Sequence, residues 1–467
     1  MQYISTRGEA SSASFTDVLI HGLARDGGLY MPEVWPQISA KAIEGFRRKA
    51  YSDVAFEVIK PFVGGTILDA DLLGMVREAY ATFDHPAVAP LHALKEGEHL
   101  LELFHGPTLA FKDVAMQLIA RLMDHVLSER GERATIVVAT SGDTGGAAIE
   151  AFRGRDRVDL VVLFPEGGVS DVQRRMMTAV PDANIHAVAI EGTFDHCQAI
   201  VKGLFGDQSF RDRAKLSAVN SINWARVVAQ AVYYFTASVA LGGPRQKLSF
   251  VVPTGNFGDI LAGYAAKRMG LPVDRLVIAT NINDILARAL ETGRYEVRKV
   301  VATESPAMDI QISSNFERVL FDAYGRDAAA IRKIMGELSS GSFEIAKGPL
   351  ANIRADFDAG RADESETKQT IRAVYEASGY ILDPHSAVGV TVAQKLKIKA
   401  PFVSIATAHP AKFPDAVEQA TGKRPALPAR FADLNRRKER FEVLPADQAA
   451  VAKFVIKHSR VIEGAVA

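Results

Sequence analysis

The chain has 467 residues, 48% hydrophobic and 24% charged, enough for more than one packed core. Basic and acidic side chains balance at 55 each, so no net field draws the protein to nucleic acid or an anionic membrane, and an anionic ligand must be held locally. The lone cysteine, Cys197, excludes an intramolecular disulfide; no leader-like start and no membrane-length apolar run are seen, so a cytoplasmic globular protein is expected.

Residues 1–88 read as a mainly helical N-terminal unit, closed by a connector at His85–Pro90. The next unit, 89–245, opens with His105-Gly106-Pro107-Thr108-Leu109-Ala110-Phe111-Lys112-Asp113, which sets Lys112 where a helix begins. The positive end of the helix dipole and burial by Leu109, Ala110, Phe111 and Val114 both disfavour its charge. Such an amine can attack an aldehyde or act as a base, although a solvated surface lysine would look the same.

The β-branched run Ala134–Thr140 then leads into Ser141-Gly142-Asp143-Thr144-Gly145-Gly146. Glycines let a ligand approach the backbone, Ser141 and Thr144 add hydroxyls, and a helix N-terminus favours an anion. A simple capped turn is the plain alternative. Val158–Phe164 and Ile185–Ile190 repeat the strand pattern, and Asn220–Arg226 gathers amides, the Ser221 hydroxyl and the Arg226 guanidinium ahead of an apolar helix.

The unit 246–425 starts with Leu248–Val252, followed by Pro253-Thr254-Gly255-Asn256-Phe257-Gly258-Asp259. This loop suits a phosphate held by backbone N–H groups, yet it matches neither the dinucleotide fingerprint nor the Walker loop. Leu276–Thr280 and Phe402–Ala406 are further strands, the latter leading to Thr407, His409 and Lys412. Between them, 285–395 reads as a helical insert that covers the sheets or closes over a site. The remainder, 426–467, is a C-terminal tail whose run Arg436-Arg437-Lys438 reads as a solvated helix face. Apolar runs alternating with helices make this an α/β chain with parallel sheets covered on both faces and ligands beyond the strands' carboxyl ends. No metal is expected, because the histidines are scattered and His196-Cys197 reads as packing.

Together these segments resemble pyridoxal-phosphate enzymes of the tryptophan-synthase-β type (fold type II), and more narrowly the threonine synthase family in its longer bacterial and fungal version. Tyr3–Gly8, Asp26–Pro32, Ser305–Ile310 and Ser313–Arg318 add to the likeness, which runs from residue 3 to about 418. The resemblance implies two (βα) domains behind a helical N-terminal one, with Lys112 forming the Schiff base with pyridoxal phosphate and serving as the mobile base. It implies that Thr254, Gly255, Asn256, Phe257, Gly258 and Asp259 hold the cofactor phosphate. Thr407 would meet the pyridine nitrogen and Asp143 would stand beside the cofactor. Many fold-type-II relatives have Asn at the position of Asp143, and a carboxylate touching an ionised phenolate requires a shared proton.

Ser141, Gly142 and Thr144 would face the substrate, and Ser221 and Arg226, helped by Thr144 and Asn256, would receive its phosphate. The implied reaction converts O-phosphohomoserine and water to threonine and phosphate, in a monomer or homodimer without nucleic-acid or membrane partners. A phospholyase or dehydratase releasing a keto acid, or a silent cofactor-binding sensor, are the alternatives.

Overall fold

The apolar runs form two sheets. In a computed structural model, which describes residues 1–463, Ala134–Ala139, Val158–Pro165 and Ile185–Glu191 lie in parallel, with Leu216–Ser217 at one edge. Every residue of Val158–Pro165 is buried, which is why the strand, apart from Asp159 paired with Arg460, reads as an apolar run rather than an alternation. The second sheet runs Phe357–Arg361, Val273–Thr280, Leu248–Pro253, Phe402–Ala406, Glu98–Glu102, Leu91–Lys95, parallel throughout except for the last hairpin.

Two pairings differ from the expectation. The hairpin Leu91–Glu102, expected with the 89–245 unit, completes the sheet of the 246–425 unit, because Leu100 packs with Leu382, Ala387 and Val390 beneath that sheet. The tail is also part of a core. Glu442–Pro445 pairs in parallel with Ile185–Glu191, and helix Gln448–His458 buries Val451, Phe454 and Val455 against Cys197, Ile200 and Leu204. The basic run is not a helix face: after one short turn, Leu434–Arg436, the backbone extends. Glu439 then pairs with Arg174, and Arg440 donates to the carbonyls of Pro181, Asp182 and Ile185.

The N-terminal region contributes helices Phe15–His21, Ala40–Glu44, Tyr51–Val63 and Asp69–Tyr80 and the strand pair Tyr3–Ser5 with Tyr30–Pro32. Helix Trp224–Ala240 packs against Tyr51–Val63, Lys112–Glu129 and Gly258–Arg268, so the N-terminal region and both sheets share one core. Trp224, fully buried at its start, meets the rings of Tyr3, Trp35 and Phe62. This fixes the loops that precede helices Lys112–Glu129, Trp224–Ala240 and Gly258–Arg268 relative to one another. Among the described residues, no helix is long and apolar enough to cross a membrane.

Candidate active site

Those loops line one cavity of ≈ 650 Å³. Lys112 is the first residue of helix Lys112–Glu129 and lines it, with Nζ 5.0 Å from the Phe111 ring centroid. Burial lowers its pKa; Asp143 opposes the shift, whereas Lys412 and Arg226 add to it.

Asp143 starts helix Asp143–Phe152 and is buried between two lysines. Its Oδ1 lies 2.7 Å from Lys412 Nζ and accepts from Gln173 Nε2 at 2.9 Å, while its Oδ2 stands 3.5 Å from Lys112 Nζ. Burial pushes this carboxyl's pKa up, but the two lysines outweigh it and hold the group ionised, well below the usual range. Ser141 and Thr144 line the cavity, whereas Gly142 does not. Its N–H is taken by the Thr140 hydroxyl at 2.9 Å, and a Cβ there would collide with the side chain of Gln173. Gly142 thus turns its N–H to Thr140 and its Cα to Gln173.

The loop after Leu248–Pro253 is arranged for an anion. The carbonyl of Gly255 accepts from the Ser313 hydroxyl at 2.6 Å, and that of Asn256 from the Asn315 side-chain amide at 2.9 Å. With the carbonyls tied back, the N–H groups of Gly255, Asn256, Phe257, Gly258 and Asp259 have no protein acceptor among the described residues. Phe257 takes a left-handed turn (φ 62°) to open helix Gly258–Arg268, and Thr254 donates to the Val252 carbonyl at 2.6 Å. The Asp259 carboxyl is committed elsewhere, accepting from the Tyr233 and Tyr234 hydroxyls at 2.5 and 2.8 Å, so its backbone rather than its side chain faces a ligand.

Thr407 follows the last strand. Its N–H donates to Ser386 Oγ at 3.1 Å and its carbonyl accepts from Phe111 N–H at 2.8 Å, while its buried hydroxyl oxygen has no partner among the described residues. Arg226 is buried in the first turn of helix Trp224–Ala240 and donates to the Val219 carbonyl at 3.2 Å. No carboxylate pairs with it among the described residues, and burial pulls its pKa down to about 10. Ser221 lies at the same wall.

The residues fit pyridoxal phosphate. A buried amine, a row of free N–H groups for a phosphate and an orphaned hydroxyl for a ring nitrogen face one cavity.

The sequence carries the same signature. The family described as pyridoxal-phosphate dependent enzyme matches residues 89–407, threonine synthase N terminus matches 2–80, and threonine synthase, C-terminal, matches 386–455. The threonine synthase of Pseudomonas aeruginosa is 51% identical over 98% of both chains.

The chain belongs to the threonine synthase family.

It is a pyridoxal-phosphate-dependent enzyme with fold-type-II architecture. The solved structure of pyridoxal-phosphate-bound threonine synthase from Brucella melitensis superposes with a TM-score of 0.96 at 60% identity, covering 98% of this chain and 100% of that one. The yeast enzyme gives 0.92 at 40% identity, with 99% of each chain covered.

Beyond the site residues that the resemblance implies, four more side chains shape the site: Lys412, Gln173, His385 and Asn315. His385 lines the cavity; its Nδ1 lies 2.9 Å from Asp383 Oδ1, and its Nε2 accepts from Ala307 N–H at 3.2 Å. Asn315 donates to the carbonyls of both Ser221 and Asn256 at 2.9 Å, tying these two walls of the cavity together. Their sequence signal is weak, because each acts through partners remote in the chain.

Proposed function

We propose that the enzyme acts on O-phospho-L-homoserine and water to give L-threonine and phosphate. The strongest support is that one cavity brings together two separate groups suited to an anion. The free N–H groups of Gly255–Asp259 would take the cofactor phosphate, and Arg226, a buried cation without a counter-ion, would take the phosphate of the substrate, with Ser221 and Thr144 beside it.

When bound, pyridoxal phosphate supplies an electron sink next to the carbon that loses its proton. Lys112 would anchor it, and Thr407 would offer its hydroxyl to the ring nitrogen. Ionised Asp143, held by Lys412 and Gln173, would stand beside the ring as a fixed negative charge. With its amine free, Lys112 would take the α-proton and return a proton later, as a base within hydrogen-bond reach can. Arg226 and the hydroxyls would stabilise the departing phosphate. Ser141 and Thr144 would orient the substrate carboxylate at the N-terminus of helix Asp143–Phe152. The lone buried Cys197 suits a reducing, cytoplasmic setting, and a monomer or homodimer suffices because one chain supplies every residue named.

The test is incubation of the purified protein with O-phosphohomoserine. Threonine and phosphate in equal amounts are expected; α-ketobutyrate as the main product would replace this reading with a phospholyase, and no turnover would leave a sensor.

A further inference from the structure

Lys412 is a buried lysine to which the proposed chemistry gives no proton to carry. It sits in the turn Pro410–Lys412 beyond strand Phe402–Ala406 and is 1% exposed. Its Nζ donates to the Thr108 carbonyl at 2.8 Å and lies 2.7 Å from Asp143 Oδ1. Charge-assisted N–H···O bonds run at about 2.7–2.9 Å, so Lys412 is the direct partner of this carboxylate. Lys112, at 3.5 Å from the other oxygen, makes the longer and weaker contact.

A buried carboxylate needs a cation. Were Lys112 the one within reach, the pair would close and Lys112 would stay an ammonium, unable to attack a carbonyl. With Lys412 in place, Asp143 is already neutralised, and a second proton on Lys112 would leave excess positive charge in a buried site that Arg226 also faces. The lysine with the poorer contacts then gives up its proton.

The other titratable groups nearby do not replace Asp143. Asp113, on Lys112's own helix, accepts from Thr108 N–H and hydroxyl at 2.7 and 2.6 Å; Asp259 is bonded to two tyrosines; and His385 turns Nδ1 to Asp383.

We propose that Lys412 is a positioning residue: as the resident counter-ion of Asp143 it releases Lys112 from that role, leaving the Lys112 amine uncharged when it meets the cofactor. The inference rests on the reading of Lys112 given above. In the step concerned, Lys112 first loses its ammonium proton to solvent. Its nitrogen lone pair then bonds the aldehyde carbon, and the aldehyde oxygen leaves as water with the two remaining amine protons, giving one C=N bond.

The experiment follows the growth of the cofactor's linked absorption band when pyridoxal phosphate is added to the full-length, cofactor-stripped chain between pH 6 and 10. In Lys412→Gln, which keeps a donor for the Thr108 carbonyl, the midpoint of the rate profile should rise by about one pH unit, making uptake about tenfold slower at neutral pH. Adding Asp143→Asn to that variant should return the midpoint to the wild-type value or below. Lys412→Met has the same expected and overturning results and serves if Lys412→Gln does not fold. A folded Lys412 variant with an unmoved midpoint, or one whose shift survives Asp143→Asn, overturns the proposal. Failure of the wild-type chain to form the band, or its persistence in Lys112→Ala, overturns instead the reading of Lys112.

Discussion

Arg318 Nε donates to the carbonyl of Tyr30 at 2.9 Å, joining the N-terminal strand pair to the wall of the active site. The same guanidinium donates at 2.7 Å to the Ile222 carbonyl, next to Ser221, and also to Asn315 Oδ1. It is wholly buried, lies 5.4 Å from the Trp224 ring, and has its pKa drawn down to about 9 by burial. One cation thus ties its own segment to two others, 288 and 96 residues away in the chain.

Replacing Arg318 by methionine leaves those three acceptors without their donor, at about 1–3 kcal/mol for each buried group left unpaired. The variant should lose about 3 kcal/mol or more in urea unfolding and should bind the phosphate-bearing substrate more weakly. Lysine cannot reproduce the planar fork and should recover less than half of the loss.

Arg226 should behave in the opposite way. It is a buried cation with one carbonyl contact and no ion pair among the described residues, so the ligand-free fold bears its desolvation cost. Arg226→Met should leave unfolding stability unchanged or raise it by about 1 kcal/mol, while kcat/KM falls by at least about 100-fold. Denaturant unfolding set beside steady-state kinetics separates the two effects. A loss of stability like that of the Arg318 variant would make Arg226 a structural residue.

The contrast between these arginines marks how far the sequence can be read. Strands such as Leu248–Pro253 are legible because a parallel strand buried on both faces is a continuous apolar run ending in a glycine-bearing turn. The position of Thr407 follows from such a junction, and those of Lys112 and Arg226 from the starts of apolar helices. What the chain order hides is pairing across distance. Lys412 meets Asp143, Asn315 bridges Ser221 and Asn256, and the hairpin Leu91–Glu102 joins the further sheet, each set by packing rather than local pattern. Asp259 shows the converse limit: it lies in the phosphate loop, yet its carboxyl faces two tyrosines from another helix.

Gly255 tests the phosphate loop. A Cβ there would stand 2.7 Å from the Ala307 carbonyl oxygen, on the segment that His385 holds. Gly255→Ala must shift either the loop or that segment, so the N–H groups no longer converge. Cofactor affinity, read by absorbance titration, should fall by about tenfold or more, with little change in the far-ultraviolet circular dichroism. Unaltered affinity would place the cofactor phosphate elsewhere.

Phe454 tests the tail. It is buried with Val451 and Val455 against Cys197, Ile200 and Leu204, on the side of helix Phe194–Gly206 turned away from the cavity, and does not itself line the cavity. Phe454→Ala should cost about 3 kcal/mol of stability by leaving a cavity, with kcat nearly unchanged at temperatures where the variant stays folded. Thermal unfolding alongside activity at 25 °C checks both.

Asp259 gives a pH signature. Burial raises its pKa from 3.8 to about 6, against the lowering effect of the Tyr233 and Tyr234 hydroxyls. Because the folded-state value is the higher one, the folded protein binds this proton more tightly. The resulting stabilisation is complete below about pH 4 and disappears as pH rises through about 6. A shift of about two units corresponds to about 3 kcal/mol. Asp259→Asn keeps an acceptor for the tyrosines but cannot ionise. The stability of wild type relative to this variant should therefore fall by about 2.5 kcal/mol between pH 4 and pH 7 in urea unfolding. A difference that is flat over that interval would mean that Asp259 is ionised throughout, with Tyr233 and Tyr234 bearing the buried charge.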